Sequence, residues 1–492
     1  MMALAIMTIV LTGAILADFG AGYWAITAET SNEALFKAKK NFEHLRAVAK
    51  QDFFAVVSAP ATNDVDSSCQ AGALCYAIED VVTDISPCSK YAEAKVTWQV
   101  KRYPSLTTSL FTYLTNPTEA IAEGGDCQLD YPAGDWTSPG FTQWNLSVGN
   151  PTGLDFLDGN TYVTGDQEPY IGVVTSAGPI GFSNGFSAGA PLQAIDVARD
   201  AGTGRTYAYA AANGLATKFN QLLKVIDVTD TNNPVLVLSP ELKGVTKSDG
   251  AQGQRVAFYG RQLFLATRTG WGPEFHAFDA GNPAAPAEAG TGVDIGASVN
   301  AILVRDQHSK GEPCRAHGGV CRFAYLATSD DQKEVIVLDV TDITNITTAA
   351  TIDLADDPDC AGSGEPDAKS LALLGNILYV GRETNGSSCA NLPDLYVYDV
   401  TDPYAGAVIK NQVEAGASVI SLRASGPYLF VSTDNGSQQI LQVRKSDAAD
   451  LSGTSAFYLS GLTENGMDFD GNFLYLLNRS SQALQIIFNP NP

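Results

Sequence analysis

A short strand-like segment with a central aromatic residue recurs seven times between residue 160 and the C-terminus. The segments are NTYVTG, YAYAAA, QLFLAT, FAYLAT, ILYVGR, YLFVST and FLYLLN, and their aligned aromatic residues are Tyr162, Tyr209, Phe264, Tyr325, Tyr379, Phe430 and Tyr475. Successive aromatic residues are 45–61 residues apart, and further strand-like segments lie between them. Three strands and a variable fourth at this period are typical of the blades of a β-propeller. The sequence therefore predicts a mainly β protein with about seven blades, and leaves six or eight as alternatives.

The last repeat, ENGMDFDGNFLYLLNRSSQALQIIFNP, contains only three strand-like segments. We predict that its fourth strand is FTQWNLSV, around Trp144, which precedes the first repeat in the chain. This pairing would close the ring and remove the exposed sheet edges that invite aggregation.

Several repeats end a strand with the sequence V-x-D-V-T-D or a close variant, which places Asp227, Asp339 and Asp399 at equivalent positions. An aspartate at the end of a strand can accept hydrogen bonds from the backbone of the following turn. We therefore predict that these three residues form turns and do not take part in catalysis.

The first 17 residues contain no charged side chain, and a helical pattern continues from there to about Phe53. Roughly 17–25 apolar residues span a bilayer, so this segment is at the short end. Five later apolar residues follow helical spacing opposite a charged face, and they are Leu35, Ala38, Phe42, Leu45 and Ala49. One helix of about 50 residues would be ~75 Å long. Since that is more than a membrane needs, the stripe predicts a helix assembly face, although an ordinary single-pass anchor with a linker helix fits equally well.

Residues 75–115 indicate a small β-domain. The segment AKVTWQV places Val96 and Trp98 on one face, and SLTTSLFTYLT alternates Leu with Thr. A stretch rich in Gly, Pro and aromatic residues follows Cys127 and is typical of a linker. The sequence thus predicts a membrane-spanning and amphipathic α-helix at 1–55, a small β-domain with linker at 56–135, and a β-propeller at 136–492.

The segment MMALAIMTIV, the long helix, and the V-T-W and L-T-T-x-L strands resemble the N-terminal region of type IV minor pilins of the PilV-like kind, over roughly residues 1–130. The resemblance implies that the helix packs with other pilin subunits in a filament. Mature pilins begin with a Phe and carry a Glu at the fifth place, and this motif does not occur here before Met1. We expect Met1 to be an internal methionine, with a basic leader and about six mature residues upstream.

The propeller repeats resemble the LVIVD type, whose name is a strand close to KVIDVTD and VIVLDVTD here. The resemblance implies a propeller architecture but no particular ligand. Propellers host many functions, so the fold alone does not decide among them.

The eight cysteines fall as close neighbours, and an even number in an exported chain suggests disulfides. Although eight cysteines allow about 105 connectivities, we predict four local pairs. The pairs are Cys69 with Cys75, Cys88 with Cys127, Cys314 with Cys321, and Cys360 with Cys389.

Candidate chemistry is sparse. The series His308, Cys314, His317 and Cys321 could form a tetrahedral zinc site, but a disulfide explains the cysteines with fewer assumptions. The acidic stretch ADDPDCAGSGEPD lacks EF-hand spacing, so a solvated loop is favoured over a calcium site. No P-loop and no H-E-x-x-H motif occurs. Inner-strand acids such as Asp196 and Asp468 are expected to line the central channel. We therefore predict no enzyme activity and no cofactor.

Residues 1–53 hold five basic and five acidic side chains, so the entire net charge of −24 belongs to the rest of the chain. Such a surface repels nucleic acid, which we do not expect as a partner. The favoured function is a type IV minor pilin or pilus-tip adhesin, anchored in the inner membrane before assembly and then displayed on an extracellular pilus or the cell surface. Its propeller would bind an unknown surface ligand. The alternative is a membrane-tethered extracytoplasmic propeller enzyme or scaffold outside any filament.

Overall fold

The structure is a computed structural model that describes residues 29–489 with gaps. The gaps are residues 51–52, 54–55, 64–75, 87, 100–104, 117–135, 137, 147, 177, 181–185, 247–249, 355–366, 384–391, 435–438, 460–465, 471 and 479–482. The chain divides into two compact units, Met1–Thr83 with Lys90–Asn116 and Asp84–Ser89 with Pro117–Pro492.

The first unit combines one described helix with one sheet. Helix α1 covers residues 29–50. The sheet has the order β1 (Ala59–Asn63), β2 (Tyr76–Ser86), β3 (Ser89–Gln99) and β4 (Ser105–Thr115). Alternate residues of β3 and β4 are apolar, so one face of the sheet buries them under the helix. In this core Ala38 clusters with Val96 and Trp98, which share one face as the sequence pattern predicts.

The helical stripe packs on this sheet. Ala38, Phe42 and Leu45 are buried, and Ala49 packs against the same core. The chain itself therefore supplies the partner surface that the stripe requires, because the amphipathic helix has an apolar sheet face beside it. Of the five stripe residues, Leu35 is the exposed one, at 43%.

No helix in the described part of the chain is long and apolar enough to cross a membrane. The apolar segment for which we predict a membrane span falls within residues 1–28, which lie outside the described residues.

The second unit contains seven four-stranded antiparallel sheets among its described residues. Strand β5 (Gly140–Asn145) comes first in the chain. The first sheet contains β6 (Pro151–Leu157), β7 (Asn160–Gly165), β8 (Ile171–Thr175) and β9 (Gly178–Pro179). The second contains β10 (Leu192–Arg199), β11 (Thr206–Ala212), β12 (Leu223–Asp227) and β13 (Val235–Leu238). The third contains β14 (Gly253–Tyr259), β15 (Gln262–Thr267), β16 (Phe275–Asp279) and β17 (Ala287–Glu288).

The fourth sheet contains β18 (Val299–His308), β19 (Val320–Thr328), β20 (Val335–Asp339) and β21 (Thr347–Ile352), with the short helix α2 (Glu312–Arg315) between β18 and β19. The fifth contains β22 (Ala368–Leu374), β23 (Ile377–Arg382), β24 (Leu395–Asp399) and β25 (Val408–Val413), with a 3₁₀ turn at Pro403–Ala405. The sixth contains β26 (Ser418–Ser425), β27 (Tyr428–Asp434), β28 (Gln439–Lys445) and β29 (Gly453–Leu459). The seventh begins with β30 (Met467–Phe469), β31 (Phe473–Asn478) and β32 (Ala483–Phe488).

The fourth strand of the seventh sheet is β5, which pairs antiparallel with β32 and places Trp144 opposite Leu484. This pairing confirms the prediction that the closing strand comes from the segment around Trp144. The first strands of successive sheets contact one another in chain order, and β30 contacts β6. The sheets therefore follow one another around a closed ring, which is the architecture of a β-propeller.

The seven aligned aromatic residues lie on the second strands of the seven sheets and are all buried. Each second strand is covered on both faces, so its residues read as a continuous apolar run without alternation. The cores lie between consecutive sheets. For example, Tyr209 of the second sheet stacks on Phe258 of the third, with ring centroids 5.5 Å apart.

Candidate functional site

Three aspartates occupy equivalent positions on the inner strands of three consecutive sheets. Asp468, Asp155 and Asp196 lie on β30, β6 and β10, each directly opposite the aligned aromatic residue of its own sheet. We call these three residues the aspartate ladder. Asp196 and Asp468 are the two channel acids that the sequence suggests, whereas Asp155 is recognised only when the inner strands are aligned through their pairing.

Each member of the ladder accepts a backbone hydrogen bond from the next sheet. Phe156 N donates to Asp468 Oδ2 at 2.9 Å, and Val197 N donates to Asp155 Oδ2 at 2.5 Å. Phe258 N, on β14, donates to Asp196 Oδ2 at 2.9 Å. The ladder therefore links four consecutive inner strands across the point where the ring closes. The inner strands of neighbouring sheets do not pair through their backbones, and these carboxylates connect them by side-chain-to-backbone hydrogen bonds.

Two arginines from other sheets contribute to the electrostatics of the ladder. Arg423 Nη2, on β26, lies 2.9 Å from Asp468 Oδ1 and forms an ion pair. Burial raises the pKa of Asp196 to about 7, and the nearby charge of Asp468 adds to the increase. Three influences lower the pKa of Asp196, and they are the hydrogen bond from Phe258 N and the positive charges of Arg305 and Arg423. Removal from water is thus the dominant influence on Asp196, which holds its proton more tightly than an ordinary carboxyl group.

A second set of repeated acids precedes the third strand of three sheets and was not suggested by the sequence motifs. Glu274 Oε2 accepts hydrogen bonds from Ile295 N at 2.9 Å and Gly296 N at 3.1 Å. Glu334 Oε2 accepts one from Leu354 N at 3.0 Å. Asp394 Oδ2 accepts two, from the consecutive backbone nitrogens that follow β25. These buried acids hold the loops that lead to the next sheet. Their sequence signal is an acid directly before the strands FHAFD, VIVLD and LYVYD.

The predicted turn aspartates have the expected role. The Oδ1 atoms of Asp227, Asp339 and Asp399 each accept a hydrogen bond, at 2.9–3.0 Å, from the backbone nitrogen two residues later. The three side chains are therefore held by turns, as the V-x-D-V-T-D pattern predicts.

The insertion between β18 and β19 contains the predicted disulfide Cys314–Cys321. Both sulfur atoms are used by this bond, so they are not available as the thiolate ligands that the zinc hypothesis requires. The insertion also contacts the fifth sheet, where Ser309 Oγ donates to Asp402 Oδ1 at 2.5 Å. Among the described residues, the other group with metal-site spacing joins this same disulfide to Asp339.

Cys88 is also disulfide-bonded. The remaining cysteines, Cys69, Cys75, Cys127, Cys360 and Cys389, lie outside the described residues, so their pairing stays a prediction. The acidic stretch considered for calcium, residues 355–367, lies almost entirely outside them as well.

A histidine and a serine, His276 and Ser187, belong to residue types that often act in catalysis, but both are hydrogen-bonded to neighbouring groups. His276 is fully buried, with Nδ1 2.7 Å from Glu288 Oε1 and Nε2 3.0 Å from the carbonyl oxygen of Pro273. Ser187 lies in a sequence that reads G-x-S-x-G, but its hydroxyl donates to Glu168 Oε1 at 3.0 Å and it sits in a loop. A nucleophile elbow continues into a helix after the serine, whereas the described residues after Ser187 lead into strand β10. Among the described residues, neither His276 nor Ser187 forms part of a recognisable catalytic arrangement.

Comparison with known proteins finds weak similarity to solved structures. No protein-family model matches the sequence, and no curated protein does. Among solved structures, the WD40 domain of Neurospora crassa Pan2 is 13% identical and aligns with a TM-score of 0.43, covering 70% of this chain and 90% of that one. The WD40 β-propeller domain of Doa1 is 8% identical, with a TM-score of 0.44, covering 71% and 97%. Saccharomyces cerevisiae Sqt1 is 9% identical, with a TM-score of 0.43, covering 71% and 98%.

Proposed function

We propose that this protein is a type IV minor pilin or pilus-tip adhesin whose propeller is a binding head of seven blades displayed at the surface. The observation that carries the proposal is the first unit, in which an amphipathic helix packs on a four-stranded antiparallel sheet. In the sequence this helix is preceded by the uncharged segment of 17 residues. The unit thus offers a sheet-supported stalk whose apolar N-terminal extension would pack with other pilin helices.

A binding role for the propeller is favoured over catalysis by the way its inner acids are used. All three ladder carboxylates accept backbone hydrogen bonds, and one of them is also paired with an arginine. A general acid or base needs to reach a substrate proton, whereas these carboxylates are already hydrogen-bonded to the backbone. The loops of propellers are free to vary on such a fixed frame, and surface loops commonly carry binding function. Localisation on the cell surface or pilus and the absence of nucleic-acid partners follow from this function and from the acidic charge.

Removal of residues 136–492 tests the proposal. We expect pili to assemble still, because the helix and the small sheet remain, while attachment to surfaces is lost. Mass spectrometry of the mature N-terminus should show a chain that starts at a Phe with a Glu four residues later. An unprocessed start at Met1, together with normal pili in cells that lack the gene, would contradict the pilin assignment.

A membrane-tethered propeller enzyme is the second candidate, and the raised pKa of Asp196 favours it, since perturbed acids gather at catalytic sites. Turnover of a small substrate by the purified protein, abolished in Asp196→Asn, would support this candidate. Attachment that survives the same substitution would support the binding head.

A further inference from the structure

Three aromatic side chains lie together on the face of the small sheet opposite the helix. The ring centroid of Tyr91, on β3, is 6.1 Å from that of Phe111 and 5.9 Å from that of Tyr113, both on β4. Phe111 is 67% exposed and Tyr113 is 49% exposed. We call these three residues the aromatic platform. Strand alternation explains their direction, since Leu106, Leu110 and Leu114 use the other face of β4 to pack under the helix.

Phe111 and Tyr113 are exposed and are not part of the core, so small polar residues would also suit these positions. Other positions on the same face of β4 carry Thr107 and Ser109, which suit an exposed strand. Exposed aromatic groups in contact with one another mark an interaction surface more often than scattered apolar residues do. The sheet therefore presents two large rings to solvent, each in contact with the ring of Tyr91.

The size of the aromatic platform argues against a protein partner. An aromatic side chain offers about 150–250 Å², so the exposed parts of Phe111 and Tyr113 together offer about 250 Å². A stable protein interface uses about 800 Å² on each partner. The occupant is thus smaller or narrower than a second copy of this chain.

The charge of the surroundings argues against an anionic occupant. Lys95, next along β3, is paired with Glu79 at 3.0 Å, and the acid Glu93 lies beside Tyr91, where its charge helps burial to raise the tyrosine pKa. Two hydroxyl groups lie further along the same face, where Thr97 and Thr107 are hydrogen-bonded at 3.3 Å. The whole chain also carries a net charge of −24. A neutral ligand rich in hydroxyl groups suits this combination.

We propose that the aromatic platform binds a neutral polysaccharide. The C–H groups on the face of a pyranose ring carry partial positive charge and pack against the electron-rich faces of Phe111 and Tyr113. Hydroxyl groups of the sugar exchange hydrogen bonds with the Tyr113 hydroxyl and with Glu93. This site lies on the small sheet, so it does not depend on what the propeller binds.

The test uses the purified full-length chain in detergent and three particulate probes, which are cellulose, chitin and starch. Depletion of protein from solution measures binding to each. We expect binding to at least one of them, reduced at least tenfold in the double variant Phe111→Ser/Tyr113→Ser. Phe111→Trp, which enlarges the ring, should bind as well as the natural chain or better. The control is Val408→Ser/Ile409→Ser, which removes an exposed apolar pair from the outer strand β25 and should bind normally.

Three results would overturn the proposal. The natural chain could bind none of the probes, or the platform variant could bind as tightly as the natural chain. Sedimentation velocity could also show a dimer that the platform variant converts to monomer, in which case a second copy is the occupant. Circular dichroism of each variant identifies misfolding, and Phe111→Trp separates loss of stacking from loss of structure.

Discussion

Single acidic residues have three separate structural uses in this propeller. Asp227 and its equivalents close turns, Glu274 and its equivalents hold the loops between sheets, and the aspartate ladder joins the inner strands. The first use follows from a local pattern that the sequence shows directly. The other two depend on which strands become neighbours in space, so they are visible only after the sheets are aligned. A buried acid in a propeller repeat is therefore most simply explained as a backbone acceptor.

Asp196 should make the stability of the protein depend on pH. Its pKa rises from 3.8 to about 7 on folding, so the folded state keeps a proton that the unfolded chain releases. The stabilisation is complete below about pH 4 and is lost as the pH rises towards 7. Asp196→Asn keeps an acceptor oxygen for Phe258 N but carries no charge. We expect it to be more stable than the natural chain by a few kcal/mol at pH 8, since one pKa unit corresponds to about 1.4 kcal/mol, and equal to it near pH 4.

Urea unfolding at pH 4.5, 6 and 8 measures this difference. The exposed acid Asp331, changed to Asn, serves as the matched control and should not alter the pH profile. Parallel pH profiles for Asp196→Asn and the natural chain would show that Asp196 is ionised in the folded protein at every pH tested.

Glu274→Ala should destabilise the third sheet and the loop that follows it. The substitution leaves Ile295 N without its acceptor and removes one of the two acceptors of Gly296 N, the other being Asp294 Oδ1. An unsatisfied buried donor costs about 1–3 kcal/mol. Glu274→Gln keeps an acceptor oxygen and should lose less. Thermal unfolding ranks the two, with Glu312→Ala on the exposed helix α2 as a control that should change little. Equal losses for Ala and Gln would assign the role of Glu274 to its charge.

At the scale of elements, the sequence predicts those features that depend on neighbours within one sheet. The seven aromatic strands were recognisable because second strands are buried on both faces, and β5 was recognisable because the last repeat lacks a strand. The partner of the helical stripe was not recognisable, since a stripe such as Phe42 and Leu45 looks the same whether a sheet or a second subunit covers it. The sequence pattern does not predict the aromatic platform, because alternation places Phe111 and Tyr113 on the face of β4 that does not contribute to the core.

The disulfide Cys314–Cys321 should stabilise the insertion that contacts the fifth sheet. It closes a loop with a sequence separation of 7, and a loop of that size gives about 2 kcal/mol. We expect Cys314→Ser/Cys321→Ser to unfold a few degrees lower and to expose the insertion to proteases first. Added zinc should leave both proteins unchanged. Protection of the natural chain by zinc, but not of the variant, would instead support the metal site.

At the scale of the whole molecule, the last sheet of the ring is completed by one strand that comes from far away in the sequence. Within the other six sheets all four strands are consecutive, so loss of an outer strand affects one sheet. Strand β5 differs, because it joins the start of the propeller to its last sheet, and the aspartate ladder crosses the same boundary through Asp468 and Phe156. Closure therefore rests on β5 at the outer edge, on Asp468 at the inner strands, and on the core between the seventh and first sheets, where Phe156 stacks on Tyr475.

Interrupting β5 should consequently cost more than interrupting any other outer strand. Neighbouring residues of an edge strand point their N–H groups to opposite sides, so Gln143→Pro/Trp144→Pro removes at least one donor to β32 whichever residue bonds it. The matched control is Asn411→Pro/Gln412→Pro in β25, which is also an outer strand and pairs regularly with β24 at these two positions. We expect the β5 variant to unfold at a lower temperature than the control and to aggregate, since β32 then exposes an unpaired edge. If both variants lose the same stability and stay monomeric, the ladder and the cores between sheets are sufficient to keep the ring closed, and β5 is an ordinary outer strand.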